Sequence, residues 1–254
     1  VQQLGWGALI VNRQPTRRLI FGVPHPLSDK HTLNQAKDLF VDLGGLALVV
    51  AGAHRRALPP QKTCSSWTYP KSDASHHPTG YFSLGRSITG VRAVVGQPWW
   101  FIELHGMRAA SAGGTCFDDT QERSLNAYLS SGVAAAAIQQ PNDDFSTLLA
   151  REMSDQHPNW IVKSTADALP CNKAGGANLL GRYLNGAQPR MNVSDCSSMW
   201  RPATSSAGRF VHIEQTVCVL GDNCESRAQR IRRSQAWLDA MSRVYAKLTE
   251  GIGK

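Results

Sequence analysis

Three short segments carry side chains able to build a hydrolytic metal centre. Val23-Pro-His25-Pro-Leu-Ser-Asp29 follows one apolar run, Glu103-Leu-His105-Gly106 closes a second, and Val211-His212-Ile-Glu214-Gln215 ends a third. Imidazole nitrogens and a carboxylate oxygen form a mixed donor set that suits zinc. A catalytic zinc takes three protein ligands, keeps a position for water, and works beside a carboxylate that accepts water's proton. On that logic His25, Asp29 and His105 are the candidate ligands and Glu214 the candidate general base. Glu103 shares a strand face with His105 and is either an alternative ligand or an outer partner of that imidazole. A carboxylate in a strand as apolar as that of Glu214 needs a cation or donors to offset its desolvation. The plainer alternative for Glu214 is an ion pair with Arg209 or Arg182. His212 alternates to the face of Glu214 and is a candidate pocket residue.

Substrate recognition has its own candidates. A guanidinium can hold a carboxylate through two parallel hydrogen bonds. Arg55 or Arg56, after the second strand, and Arg182, in Gly181-Arg-Tyr-Leu-Asn185, are placed to do so. His54 and His76 could each supply a proton or a hydrogen bond.

Such residues work only if the chain brings them together. Arg18–Val23 reads as a buried strand ended by Pro24. Asp29–Leu43 has helical spacing of Leu33, Ala36, Leu39, Phe40 and Leu43, with a Gly44-Gly45 stop. Leu46–Ala53 is the next strand, so strand, helix and strand predict a parallel unit with a right-handed crossover. Leu58–Pro78 reads as a loop, Thr79–Val91 as a possible helix, and Gln97–Leu104 as a strand. Ser124–Ser130 reads as a helix, Gly132–Ile138 as helix or strand, and Asp143–Ser154 as a helix. Trp160–Ser164 is a short strand, Asn178–Leu184 a short helix, Arg209–Val217 a strand, and Ser226–Glu250 a long closing helix with an apolar stripe. The pattern predicts an α/β fold: one open, mostly parallel (mixed) sheet flanked by helices, forming a single domain over residues 1–254. In such sheets ligands lie beyond strand ends, where strand order reverses.

The pattern His25-Pro-Leu-Ser-Asp29-Lys-His-Thr32, then His105-Gly106, then Glu214, resembles the zinc-dependent poly-gamma-glutamate hydrolases. These are metallocarboxypeptidase-like amidohydrolases, and the likeness extends to uncharacterised bacterial proteins of that kind. It implies a metallocarboxypeptidase-like fold, zinc held by His25, Asp29 and His105, and Glu214 as base. Two departures stand out. The acid is Asp29 and not Glu, four residues after His25, and no Asn-Arg element matches the one with which carboxypeptidases hold a terminal carboxylate.

The 254 residues suffice for one sizeable α/β domain, and 42% apolar with 18% charged residues marks a globular chain. No apolar stretch reaches the roughly 18 residues of a membrane span. A formal net charge of +8 points to an anionic small or polymeric substrate. No nucleic-acid motif accompanies it, so nucleic acid is not the expected partner. The chain opens at Val1 with no basic-then-apolar leader, as a mature secreted or periplasmic protein would after signal removal. Six cysteines and no CxxC pair favour disulfides over thiolate ligation. Nearest spacing suggests Cys64–Cys116, Cys171–Cys196 and Cys218–Cys224. Asn192-Val-Ser194 fits a glycosylation sequon. A serine hydrolase would need a Gly-x-Ser-x-Gly turn, and a phosphate-binding loop a Lys after Ala112-Gly113-Gly114-Thr115; neither is present.

These readings predict a zinc hydrolase that cleaves an amide bond of peptide or isopeptide type. An esterase or N-deacylase on the same site, or a non-catalytic polyanion-binding module, are the alternatives.

Overall fold

Alternation along the strands separates a greasy face from a chemical one. In the computed structural model, which describes residues 7–59, 70, 72–76, 99–108, 116–118, 123–133, 144–167, 171, 175–186, 205–216 and 227–250, nine strands and four helices are present among the described residues. They are β1 (Gly7–Val11), β2 (Leu19–Val23), α1 (Thr32–Asp42), β3 (Ala47–Ala51), β4 (Trp100–Met107), β5 (Phe117–Asp118), β6 (Arg123–Ser124), β7 (Ala127–Ser130), α2 (Phe145–Gln156), β8 (Val162–Ser164), α3 (Leu179–Leu184), β9 (Phe210–Thr216) and α4 (Arg227–Thr249). Seven strands form one sheet in the order β1-β3-β2-β4-β9-β7-β8, and β5 pairs with β6. β3, β2, β4 and β9 run parallel; β1 and β7 are antiparallel to their neighbours β3 and β9.

On one face, Leu19, Phe21, Trp100, Ile102, Leu104, Val211 and Ile213 meet the buried stripes of α1, α2 and α4 in the main core. Trp237, Ala240, Met241 and Val244 are the α4 side of that contact, as its helical spacing predicts. On the other face, Phe101 and Phe210 stack with ring centroids 6.1 Å apart and pack with the short helix α3. Gly22 has no side chain because the Phe101 ring lies over it: a Cβ there would come within 2.4 Å of that ring. Two residues further along β4 and β9, the same face turns polar with Glu103, His105, His212 and Glu214.

Several expectations are corrected. Ser124–Ser130 is not a helix but the end of β6 and all of β7. β7 lies between β8 and β9, and those hydrogen-bonding neighbours override local propensity. The sequence reading assigns no element before Arg18, yet β1 pairs along β3 there. It is exposed at every residue, so it has no buried face to give a periodic signal. The strand expected over Gln97–Leu104 runs instead to Met107, which puts His105 within a strand rather than past its end. Cys116 is bonded to Cys171, which excludes the expected Cys64–Cys116 and Cys171–Cys196 pairs. Spacing along the chain ranks loop entropy, whereas the pairing follows from Cys116 and Cys171 lying in one buried cluster with Met107, Leu125, Tyr128 and Ile161. The expected Cys218–Cys224 bridge, the Thr79–Val91 helix, the Asn192 sequon, the Ala112–Thr115 run and residues 134–138 lie outside the described residues.

Candidate metal centre

β2 is the point from which the chain moves to β3 on one side and later to β4 on the other, so the crevice between β2 and β4 is a topological switch point. His25 and Asp29 follow β2 in a turn closed by the Ser28 and Asp29 amides, both donating to the His25 carbonyl. His105 stands on the face of β4, and Glu214 sits opposite it on β9. The site therefore covers the sheet face beside the switch point as well as a strand end.

His25, Asp29 and His105 are all buried, and one potential ligand atom from each lies within 4.8 Å of the others. His25 Nδ1 is 3.4 Å and His105 Nδ1 3.2 Å from Asp29 Oδ2. Their rings meet edge-on with centroids 5.0 Å apart. Each imidazole uses its other nitrogen on a second buried carboxylate. His25 Nε2 donates to Asp73 Oδ1 at 3.0 Å, and His105 Nε2 donates to Glu103 Oε1 at 2.7 Å. An ionised carboxylate only accepts, so each of these bonds keeps a proton on Nε2, while Nδ1 faces Asp29.

Asp73 also accepts from the Ser75 amide, His76 Nδ1 and Arg55. Glu103 also accepts from Asn178 Nδ2 and from the Ser75 hydroxyl at 3.4 Å. Burial alone would raise the Asp29 and Asp73 carboxyls. The hydrogen bond from His105 and the nearby His25 imidazole outweigh it at Asp29, hydrogen bonds from His25 and His76 do so at Asp73, and both groups stay well below the usual carboxylate range. Glu103 is likewise lowered against its burial, chiefly by the His105 hydrogen bond. His105 is pulled down by burial but pushed up to about 10 by Asp29 and Glu103. His212 goes the other way: burial and the nearby charge of His105 lower it, against Glu214 at 3.4 Å.

Buried donors test whether a cation fits here. His25 Nδ1 is buried without a hydrogen-bond partner, 3.4 Å from Asp29 Oδ2. Two nitrogens and one carboxylate oxygen converging in this way match the donor chemistry of a zinc centre, and His25, Asp29 and His105 would hold the ion. Two further groups meet the same distance criterion: His25, Asp73 and His76, and Glu103, His105 and His212. Asp73 is already neutralised by Arg55 at 2.9 Å, and Glu103 is already bound by three donors. Both suit the outer carboxylate role better than direct ligation.

The remaining residues named from sequence divide. Arg55 is tied to Asp73 and His76 touches the same carboxylate. His212 lies between Glu103 and Glu214. Arg182 is buried with its Nε donating to the Gly176 carbonyl, and Arg209 donates to the Trp99 carbonyl. A cavity of about 620 Å³ opens from Asp29 and is lined by His54, Arg55, Arg56, Lys30 and Arg108 among others. Glu214, His76, His212 and Arg182 are not among its described lining. Sequence reasoning missed Asp73, Asn178, Lys30 and Arg108. Asp73 had a signal, an acid inside Ser72-Asp-Ala-Ser-His76; Lys30 and Arg108 had none, because they join Arg55 and Arg56 at the rim from separate segments.

No protein-family model matches the chain, and no curated protein matches it in sequence. Solved structures do. The gene product Atu2144 from Agrobacterium tumefaciens is similar at 12% identity and a TM-score of 0.51, over 95% of this chain and 95% of that one. N-formylglutamate amidohydrolase from Ralstonia eutropha JMP134 is similar at 12% identity and a TM-score of 0.50, over 96% of this chain and 98% of that one. A bacteriophage poly-gamma-glutamate hydrolase is similar at 11% identity over 96% and 90%, with a TM-score of 0.43, too distant to add weight. The first two define the class: an open mixed α/β sheet shared with a known amidohydrolase. This chain thus shares that fold, in line with the fold the resemblance drawn from its sequence implies.

Proposed function

We propose that this protein is a zinc-dependent hydrolase that cleaves an amide bond of peptide or isopeptide type in an anionic substrate. One observation carries the reading: His25, Asp29 and His105 converge on one point, each imidazole backed by its own buried carboxylate. A divalent ion held there supplies Lewis acidity, polarising a carbonyl and acidifying water. Glu214, beside His105 on the next strand, takes the proton of the attacking water and returns it to the leaving amine. Neutral His212 donates from Nε2 to Glu214 and helps hold its position. The substrate approaches through the cavity at Asp29, where Arg56, Lys30 and Arg108 attract carboxylates, and His54 lies at the same rim. Arg55 and His76 act through Asp73, and Arg182 shapes the loop before α3.

The name of N-formylglutamate amidohydrolase, an amide-cleaving enzyme for an acidic compound, supports both the bond and the charge. The Cys116–Cys171 bridge supports a secreted or periplasmic location, and we read residues 1–254 as one domain. No helix among the described residues is long and apolar enough to cross a membrane.

The test is zinc content and turnover together. Wild-type protein is expected to hold about one zinc per chain. Glu214→Gln should keep it while losing about 10²- to 10⁴-fold in turnover of an acidic amide. Wild-type turnover in that variant removes the base assignment. Turnover of esters in place of amides favours the esterase reading, and salt-sensitive polyanion binding without metal or turnover favours a binding module.

A further inference from the structure

We propose that Asn178 and Glu103 form a positioning relay that fixes the proton and ring orientation of His105, leaving its Nδ1 as the ligand atom. The proposal rests on the zinc reading above but concerns different residues. Asn178 is the N-cap of α3, and its Oδ1 accepts from the Leu180 amide at 3.0 Å and the Gly181 amide at 3.1 Å. Those two bonds decide which end of the side-chain amide is which. Only the NH₂ end is left to face Glu103, and it donates to Oε1. Glu103 is 2% exposed, so it cannot exchange these partners for water. Its Oε1 is held by Asn178, with the Ser75 hydroxyl at 3.4 Å, and presents a fixed acceptor 2.7 Å from His105 Nε2. His105 must then keep a proton on Nε2, and its Nδ1, 3.2 Å from Asp29 Oδ2, is the nitrogen a metal can take.

The same loop is tied to the site at a second point. Gly175 packs on the His212 ring, and the Asn178 amide donates to the Gly175 carbonyl. Ser75, which touches Glu103, also accepts from the Leu179 amide through its carbonyl. The start of α3 is thus docked against the polar face by bonds that end on a single imidazole. In this arrangement an ordinary helix cap doubles as a support for a metal ligand. Asn178 and Glu103 act through His105 and do not touch substrate.

The test compares zinc affinity, measured by competition with a chromophoric chelator, in wild type, Glu103→Gln and Asn178→Ser. Serine still caps the helix but is too short to reach Glu103. Loss of an outer partner weakens metal binding by about 10- to 100-fold, and both variants should fall in that range while keeping their far-UV spectrum. Long-range ¹H–¹⁵N spectra of the zinc-loaded wild type should show His105 protonated at Nε2 and metal-bound at Nδ1. Wild-type zinc affinity in both variants overturns the relay, as does Nε2 ligation. If wild-type protein binds no zinc, the metal reading fails on its own. Exchange of the His105 Nε2 proton in the metal-free proteins then decides the relay: slow in wild type and fast in Asn178→Ser supports it, and equal rates overturn it.

Discussion

His25 and His105 meet edge-on with ring centroids 5.0 Å apart, and the Nδ1 atoms of both are directed at the same oxygen of Asp29. Neither ring is free to turn away. Rotation about either would break an Nε2 bond to a buried carboxylate, Asp73 for one and Glu103 for the other. Leaving a buried carboxylate short of a donor costs about 1–3 kcal/mol or more, so the pair is held in a geometry that a cation can use without rearrangement.

Zinc affinity should depend on pH through His105. In the metal-free protein this group titrates near 10, well above the roughly 6.5 of a free imidazole. Its folded value is the higher one, so its proton contributes stability in full below about 6.5, and that contribution is lost as pH rises through about 10. Zinc has to displace the Nδ1 proton, so affinity should rise by about tenfold per pH unit over the upper part of that window. Chelator competition at several pH values measures the slope. A flat profile would remove His105 from the ligand set. Asp29 and Asp73 have the opposite sign: their contribution is present above the ordinary carboxylate value and is lost as pH falls below it.

The cationic rim should govern substrate binding and not the chemical step. Arg56 and Arg108 are exposed at the cavity that opens from Asp29. A hydrogen bond to a charged group contributes about 1.5–3 kcal/mol. Arg108→Ala and Arg56→Ala should therefore each raise KM for an acidic amide by about 10- to 100-fold with kcat nearly unchanged. Steady-state kinetics on acidic and neutral amides reads this directly; equal losses on both would contradict charge recognition at the rim.

Gly175 should not tolerate a side chain. Its φ is +65°, and a Cβ would come within 2.9 Å of His212 Cγ. The left-handed backbone alone costs an L-residue about 1–2 kcal/mol. Gly175→Ala is expected to lower the melting temperature and to reduce kcat by shifting His212 against Glu214, while zinc stoichiometry stays at the wild-type level. Unchanged kcat would show that His212 has no part in holding Glu214.

Reducing the Cys116–Cys171 bridge should destabilise the fold. It closes a loop with a sequence separation of 55 residues, for which chain entropy predicts about 4 kcal/mol. Chemical denaturation of Cys116→Ala/Cys171→Ala should show most of that loss. A change below about 1 kcal/mol would mean that the apolar packing around Met107, Leu125 and Tyr128 holds this region without the bond.

The local pattern determined much of this molecule. Leu19–Val23 reads as a strand because it is a short continuous apolar run ended by Pro24, and along Phe210–Thr216 the alternation alone put His212 and Glu214 on the face opposite Val211 and Ile213. Helical spacing likewise located α1, α2 and α4, whose buried stripes form the main core. The donor types at His25, Asp29 and His105 were visible as chemistry, and the structure brings these three side chains together. Long-range pairing decided the rest. β1 and β7 depend on partners far along the chain, so neither their presence nor their type is written in their own residues. The same holds for the Cys116–Cys171 bond, for Asp73 behind His25, and for Asn178 behind Glu103. A carboxylate or an amide looks alike along the chain whether it ends in water or against a buried imidazole; only packing, by removing the water, gives it one partner and one role.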